Sequence, residues 1–264
     1  MIKFRVTAEW ETHAATLMQW PGPWETSLRQ NFADIIKVVS KYEPMHLIVE
    51  NLRELDAARA YLNKAGVSAE NVTWHIAGTD NAWMRDNGPI YVTDGKTTVV
   101  QDHGFDAWGG NFGRDVTFAK DDRIPEFVAR QLGAKRVDLG DYVVEKGNLE
   151  FNGKGTLMLN WDCQANRNPG MSKAAHEAYL KQTLGVQKIV WAYGADPQDG
   201  TTGHLAWMRS PISKSALIGS SLIPPTVSTA SPRFATPWSM TRRAHSWIWA
   251  AVAASSFPAL ISMR

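Results

Sequence analysis

The chain has 264 residues, of which 44% are hydrophobic, so it can bury a sizeable core without covalent cross-links. Cys163 is its single cysteine, which excludes an internal disulfide, and residues 1–6 lack the charged and apolar regions of a secretory signal, so we expect a cytoplasmic protein. The net charge of +2 at pH 7 indicates no general affinity for nucleic acid.

The first predicted element in chain order is a helix at Ser27–Lys41. Leu28, Phe32 and Ile36 recur at the spacing that places them on one face of a helix, which predicts that this helix packs on a core. Short apolar runs predict strands elsewhere in the chain. These strands are expected at Met45–Glu50, Ile90–Thr93, Thr97–Gln101 and Thr156–Asn160.

Three segments share a pattern in which a helix is followed by a glycine and then by a strand. Glycine suits the left-handed residue just beyond a helix end, so each glycine predicts where its helix stops. The segments recur about every sixty residues, which predicts an α/β fold built from repeats, such as a propeller or a solenoid. The helices, glycines and strands are Arg53–Lys64, Gly66 and Val72–His75, then Ile124–Leu132, Gly133 and Lys135–Leu139, then Lys173–Leu184, Gly185 and Lys188–Trp191.

The loops between these elements are rich in tryptophan, aspartate, asparagine and glycine. Aromatic faces and carboxylates that converge from loops are typical of a pocket for a cationic ligand, and this composition predicts such a pocket. The loops are Trp20–Trp24 (WPGPW), Trp83–Pro89 (WMRDNGP), Asp102–Gly110 (DHGFDAWGG) and Gln164–Gly170 (QANRNPG).

Carboxylates in or near these loops are the first candidates for ligand contacts. Asp86 precedes Asn-Gly-Pro, a strong turn signal, and a carboxylate held by a turn can accept two parallel hydrogen bonds from a guanidinium. The alternative is that Asp86 only caps the turn or pairs with Arg85. Glu145 or Glu150 could supply a second carboxylate to the same pocket, although an isolated glutamate more often lies on a solvated strand face.

His204 and Cys163 are the candidates for proton transfer and for nucleophilic attack. His204 follows the turn sequence Gly-Thr-Thr-Gly and is suited to act as general acid and base near neutral pH, although a lone histidine is more often a packing or surface residue. Cys163 lies beside Asp162, whose negative charge disfavours a thiolate, so we interpret this cysteine as structural.

Six motifs, taken in order, resemble those of agmatine deiminases and of the related bacterial peptidyl-arginine deiminases. The resemblance covers about residues 5–204, and WMRDNGP and FDAWGG are its most specific parts. It implies the pentein fold, an α/β propeller of five ββαβ units around a central site, which would be incomplete in this chain. The motifs are Ala8–Thr16 (AEWETHAAT), Trp20–Pro21, Trp83–Pro89, His103–Gly110 (HGFDAWGG), Gly147–Thr156 and Asn166–Pro169 (NRNP).

The resemblance implies roles for the residues that match family motifs. Asp86 would be a catalytic carboxylate that binds the substrate guanidinium. Glu145 would bind it as well, although Lys146 replaces the first glycine of the family's Glu-Gly-Gly segment. His204 would be the histidine that acts as acid and base. The aromatic walls of the pocket would be Trp24, Trp83 and Trp108.

The mechanism that the resemblance implies is covalent and needs no metal or organic cofactor. A cysteine thiolate attacks the guanidinium carbon, carboxylates hold the flanking nitrogens, and a histidine protonates the departing ammonia and then activates water. The substrate would be agmatine, hydrolysed to N-carbamoylputrescine and ammonia in putrescine biosynthesis, or peptidyl-arginine. We expect no nucleic-acid or membrane partner, and the resemblance implies that the protein can pair as a homodimer.

The chain departs from the family pattern around and after His204. Ala206 stands where the family has an aspartate, and the glycine-rich segment that carries the nucleophilic cysteine is absent. Cys163 matches a family cysteine that is not the nucleophile. We therefore expect the chain to be catalytically inactive, either as an enzyme-family member without its nucleophile or as a module that only binds guanidinium ligands.

The charge pattern changes at the same place. Residues 200–264 contain six basic and no acidic residues, because all 26 acidic residues lie at or before Asp199. We predict a partial deiminase domain over residues 1–204 and a non-family tail over residues 205–264, translated out of frame. The alternatives are a nucleic-acid-binding tail and a membrane anchor at Ser246–Met263, whose length is near the minimum for a span.

Overall fold

The computed structural model describes residues 4–205 and Ser256–Pro258, and in these residues helices alternate with strands that form three β-sheets. The α/β class predicted from the sequence is therefore confirmed. The strands are β1 Arg5–Val6, β2 His13–Gln19, β3 Met45–Val49, β4 Val72–Ile76, β5 Ile90–Thr93, β6 Thr98–Gly104, β7 Lys135–Val143, β8 Leu149–Phe151, β9 Thr156–Asn160, β10 Lys188–Ala192 and β11 Ser256–Pro258. The helices are α1 Arg29–Val39, α2 Leu52–Lys64, α3 Met84–Asn87, α4 Ile124–Leu132, α5 Trp161–Arg167 and α6 Lys173–Leu184.

Two of the three sheets in the described residues repeat one strand order. β5, β6 and β7 form the second sheet, with β1 added at its edge, and β8, β9 and β10 form the third. In both sheets the first two strands are antiparallel and the last two are parallel, with helix between the parallel strands. A parallel pair needs such a crossover, because the chain must return to the same end of the sheet. This is the ββαβ order that the family resemblance implied.

The first sheet has a different order. β2, β3 and β4 run parallel, with α1 and α2 as their two connections, and β11 pairs antiparallel with the outer edge of β2. Ser256 lies opposite Thr16, and Pro258 lies opposite His13. A short segment of the predicted tail therefore covers part of an edge strand whose backbone groups would otherwise lack a neighbouring strand.

The predicted helix–glycine–strand segments are all present. Gly133 and Gly185 have φ angles of 59° and 67°, the left-handed conformation that follows the last residues of α4 and α6. Both helices have the predicted bounds. Local sequence patterns did not indicate β2, α3 or α5, which lie in or beside the tryptophan-rich loops, or the short strands β1, β8 and β11. α3 and α5 have only 4 and 7 residues, too few for a helical period to stand out.

Apolar side chains from the helices pack against the sheets. Phe32 and Ile36 on α1 and Leu47 on β3 are 1% exposed or less, as the helical spacing predicted for the two α1 residues. In the third sheet, Leu157 on β9 and Leu180 on α6 are fully buried in the same way. Burying one large apolar side chain contributes roughly 1.5–3 kcal/mol, so these layers are the main favourable term in folding.

Several predictions concern residues outside the described part of the chain. Ala206, most of the predicted tail at residues 205–264 and most of the alternative membrane segment Ser246–Met263 lie there. Among the residues that are described, no helix combines the length and the apolar character that a bilayer span requires.

A buried carboxylate links the first sheet to the segment before α4. Asp121 is fully buried, and its oxygens accept hydrogen bonds from the side chains of Gln19 and Asn81 and from the backbone N–H of Asp80, at 2.8–2.9 Å. These donors lie 40–102 residues away in the sequence. Because leaving a buried polar group unpaired costs about 1–3 kcal/mol, the network fixes the loop that leads into α3.

Glu25 is a second buried acid close to this network. Only 3% of the residue is exposed, and burial together with the negative charge of Asp121 raises the pKa of Glu25 from 4.5 to about 8. Burial likewise raises the pKa of Asp121 from 3.8 to about 6. Both acids therefore keep a proton in the folded protein at pH values where an unfolded chain has released it.

Glu25→Gln is expected to flatten the pH dependence of stability. The pKa of Glu25 is raised in the folded state, so its contribution to stability is full below the unfolded pKa of 4.5 and is lost as the pH rises through about 8. Between about pH 5 and about pH 8, the free energy of unfolding should fall by roughly 3 kcal/mol more in the wild type than in the variant, measured by urea unfolding.

The matched control for Glu25→Gln is Glu70→Gln, at an exposed position. This control should keep the wild-type slope of stability against pH. If the free energy of unfolding changed with pH equally in the wild type and in Glu25→Gln, the raised pKa of Glu25 would be contradicted.

Candidate active site

Three predicted site residues meet in one buried cluster, although they come from different parts of the chain. His204 Nε2 lies 2.5 Å from Glu145 Oε2, and His204 Nδ1 lies 3.5 Å from Asp86 Oδ1. Each of the three residues is 4% exposed or less. The histidine therefore lies between the two carboxylates, with one ring nitrogen towards each.

Asp86 lies in the one-turn helix α3, and both of its oxygens face the cluster. Asp86 Oδ2 accepts a hydrogen bond from Trp108 Nε1 at 2.9 Å, and Oδ1 accepts one from the backbone N–H of Gly147 at 3.1 Å. These two donors come from the loop after β6 and from the segment after β7. They hold the carboxylate plane in one orientation, because each oxygen has its own fixed partner.

Arg85 and Glu150 lie outside this cluster. The guanidinium of Arg85 pairs with Glu9 and lies 3.6 Å from Glu150, so the alternative in which Arg85 pairs with Asp86 is not observed. Of the two glutamates considered as a second carboxylate, Glu145 is therefore the one that the fold brings to Asp86. Glu150 lies on β8 and faces Arg85 instead.

Arg167 also belongs to the cluster, although it was not among the site residues predicted from the sequence. Its guanidinium contacts both oxygens of Glu145, one of them at 3.2 Å, and donates to the carbonyl of Thr201, also at 3.2 Å. The side chain is 1% exposed. Arg167 lies in the NRNP motif, which was the available signal, but its partner is 22 residues away and no local pattern indicates that contact.

A tight turn presents His204 to the carboxylates. The side chain of Asp199 accepts hydrogen bonds from the backbone N–H groups of Thr201 and Gly203, at 2.9 and 2.8 Å. Thr202 and Gly203 have φ angles of 62° and 91°. A left-handed threonine is strained, and such strain persists where surrounding contacts hold it. The turn predicted from Gly-Thr-Thr-Gly is thus the element that positions the histidine.

Gly147 is where the backbone approaches the cluster most closely. A Cβ atom on this residue would lie 2.3 Å from His204 Nδ1 and 2.4 Å from Asp86 Oδ1, so any side chain would push the two groups apart. Its neighbour Lys146 is buried, and a Cβ atom on Gly88 would lie 3.1 Å from Lys146 Nζ. The lysine that departs from the family pattern therefore extends towards α3, and burial and Arg85 lower its pKa to about 7.

The charged groups of the cluster shift one another's pKa. Burial raises the pKa of Asp86. Burial works in the same direction on Glu145, but the positive charges of His204 and Arg167 lower the pKa of Glu145 overall. For His204, burial opposes the charged form, and the two carboxylates outweigh it and raise the pKa. The histidine therefore keeps its second proton to a higher pH than a free imidazole does.

The predicted aromatic residues are divided between the cluster and the surface. Trp108 is buried, and its ring meets that of Trp83 edge-on with centroids 6.4 Å apart. Ala107 and Trp108 have φ angles of 54° and 59°, an uncommon left-handed conformation. The hydrogen bond from Trp108 Nε1 to Asp86 helps to hold it. Trp24 is 63% exposed and donates to the carbonyl of Asp80, so it lies at the surface and not in the buried cluster.

Cys163 lies against the cluster from α5. Its Sγ is 3.8 Å from Glu145 Oε2, and the residue is 1% exposed. Burial and the negative charge of Glu145 raise the pKa of the thiol well above its usual value. The neighbouring Asp162 accepts a hydrogen bond from the backbone N–H of Gly194 at 2.6 Å. The acid that disfavours the thiolate by direct contact is therefore Glu145.

Comparison with known proteins identifies the family. The Porphyromonas-type peptidyl-arginine deiminase family matches residues 5–225, and the chain belongs to this family. The match extends past residue 204, and the division of the chain that we predicted there stays a prediction. The chain is 32% identical over 212 residues to the agmatine deiminase of Pseudomonas aeruginosa strain LESB58 and 31% identical over 212 residues to that of Ectopseudomonas mendocina.

Solved structures show the same fold. The agmatine deiminase of Enterococcus faecalis superposes with a TM-score of 0.70 and 26% identity, over 78% of this chain and 57% of that one. The predicted pentein fold is therefore confirmed. The matches to the agmatine deiminases of Pseudomonas aeruginosa and Ectopseudomonas mendocina each cover 76% of this chain, and the chain spans only 56% of the length of those two proteins.

Gly147→Ala is expected to destabilise the fold, because the new methyl group would overlap His204 and Asp86. Overpacking of a buried site typically costs about 1–3 kcal/mol in the free energy of unfolding, which urea titration measures. Gly22→Ala is the control, since the nearest atom to its methyl group would be Trp24 Cδ1 at 4.0 Å. Equal stabilities for the two variants would contradict the close approach at Gly147.

Proposed function

We propose that this chain forms the guanidinium-binding part of a deiminase active site, in a guanidino-group hydrolase of the agmatine deiminase type. The observation that carries the proposal is the meeting of Asp86, Glu145 and His204 in one buried cluster from three separate segments. Two carboxylates around a central histidine complement a planar cation that has several N–H donors.

The contacts around Asp86 support its role as the carboxylate that binds guanidinium. Trp108 Nε1 and the backbone N–H of Gly147 each orient one of its oxygens, so the carboxylate needs little rearrangement when a ligand arrives. Trp108, which donates to Asp86, packs edge-on against Trp83, so aromatic side chains border the carboxylate.

His204 is the group suited to move protons in the proposed site. Its two ring nitrogens face different carboxylates, Nε2 towards Glu145 and Nδ1 towards Asp86, so the imidazolium form is stabilised in place. In guanidine hydrolysis, such a histidine would protonate the departing ammonia and then remove a proton from the attacking water.

The substrate class that we propose is a guanidino compound. Asp86, Glu145 and His204 are each 4% exposed or less, so the guanidinium group of a ligand that reaches them would be enclosed. The curated relatives reported above carry the name agmatine deiminase. We therefore propose agmatine, with N-carbamoylputrescine and ammonia as the products of the complete reaction. A cytoplasmic location and pairing as a homodimer remain predictions from the sequence.

Binding of agmatine tests the proposal directly. Calorimetry should show saturable binding to the wild-type chain and at least about tenfold weaker binding to Asp86→Asn, since a charge-assisted hydrogen bond contributes about 1.5–3 kcal/mol. The matched control is Glu150→Gln, which removes a partly buried carboxylate that faces Arg85 and should leave the affinity unchanged. Equal binding by all three proteins, or binding by none, would contradict the proposal.

Turnover by this chain is expected to be absent. A covalent route needs a thiolate, and Cys163, the single cysteine of the sequence, is held as a thiol by burial and by Glu145. Loss of a nucleophile typically costs several orders of magnitude in rate. Ammonia release from agmatine should therefore equal the background rate. Multiple turnovers that disappear in Cys163→Ser would instead make Cys163 the nucleophile.

A further inference from the structure

We propose that Cys163, Glu145 and His204 form a site for zinc. Each residue offers one ligand atom, namely a sulfur, a carboxylate oxygen and an imidazole nitrogen, and the three atoms all lie within 4.8 Å of one another. Thiolate, imidazole and carboxylate are the ligand types that zinc takes in proteins, and three protein ligands leave a fourth position open for water.

Two of the distances within the group fall on either side of those in a tetrahedral site, and the third is no longer than 4.8 Å. Cys163 Sγ and Glu145 Oε2 are 3.8 Å apart, and His204 Nε2 is 2.5 Å from the same oxygen. Zinc bonds of about 2.0–2.3 Å at tetrahedral angles place ligand atoms roughly 3.2–3.6 Å apart. The metal would replace the hydrogen bond between His204 and Glu145, and the two groups would separate by less than about 1 Å.

The groups around the three ligands also suit a metal site. A histidine that binds zinc through one ring nitrogen usually donates its other N–H to a carboxylate, which fixes the ring. Asp86 Oδ1 lies 3.5 Å from His204 Nδ1, in the position of such a carboxylate. On the other side, Arg167 holds Glu145 through both oxygens, one of them Oε2 at 3.2 Å, and therefore limits its rotation.

Charge balance favours a divalent metal with soft character. On binding, zinc would displace the thiol proton of Cys163 and the Nε2 proton of His204 to solvent. The resulting thiolate and the carboxylate of Glu145 together neutralise the two charges of zinc. The guanidinium of Arg167 opposes metal entry, and the carboxylate of Asp86 offsets that charge from the other side of His204. Magnesium and calcium prefer oxygen ligands and are not expected to occupy a site with sulfur and nitrogen donors.

Zinc and a guanidinium ligand would then exclude each other, since both need Glu145 and His204. This consequence rests on the proposed function, whereas the metal site itself does not. Metal binding alone, measured without any guanidino compound, therefore tests the site, and its failure would leave the agmatine experiment unaffected.

Cobalt(II) is the probe, because it occupies zinc sites and absorbs light. Titration of the full 264-residue chain should give a thiolate-to-cobalt charge-transfer band and the intense visible bands of a tetrahedral site, saturating at one metal per chain. Zinc should abolish both signals by displacement. Cys163 is the single cysteine of the sequence, so the thiolate band can come from no other residue.

Variants separate this site from other histidine sites. Cys163→Ser should remove the thiolate band and weaken zinc binding at least about tenfold in competition with a chelator, as loss of one ligand predicts. The control is His46→Gln, because His46 Nδ1 lies 2.8 Å from His75 Nε2 and this pair is a competing nitrogen site. The proposal is wrong if wild-type protein shows no thiolate band, or if zinc affinity depends on His46 and not on Cys163.

Discussion

The ion pair between Arg167 and Glu145 is the interaction on which the rest of the site depends. Both side chains are 1% exposed or less, so each charge is tolerated only because the other lies beside it. Glu145 in turn holds His204, and His204 lies against Asp86. Removing one member leaves an uncompensated buried charge, which costs about 3–5 kcal/mol. Stability and the proposed binding of guanidinium therefore depend on the same four side chains.

The cluster exists only where separate parts of the fold pack together. Asp86 lies between the first and second sheets along the chain, Glu145 between the second and third, and His204 after the third. The backbone also contributes, because Gly147 has no side chain and lets the histidine and the aspartate come within 3.5 Å. The strained backbone at Trp108 places its ring against Asp86, and the strained turn at Thr202 leads into His204. Strain of this kind persists where packing determines the backbone on all sides.

The surroundings of Cys163 explain why it suits one chemistry and not another. A nucleophilic thiolate needs a positive, partly accessible environment, whereas Cys163 is buried beside a carboxylate. A carboxylate and an imidazole next to a thiol are, however, a suitable set of zinc ligands. The mechanism that the family resemblance implies needs no metal, because a cysteine thiolate is its nucleophile. The proposed zinc site follows instead from how this chain places its own three groups.

The sequence by itself determined the elements whose signals are local. Gly133 and Gly185 end their helices where predicted, because a left-handed residue beyond a helix is a property of the local backbone. Family motifs also indicated Asp86, Glu145 and His204. Only the tertiary structure decided how residues far apart in the chain pair: Arg167 binds Glu145, Glu150 turns to Arg85, and Trp24 remains at the surface. These contacts depend on how the sheets pack, and a pattern along one segment does not contain that information.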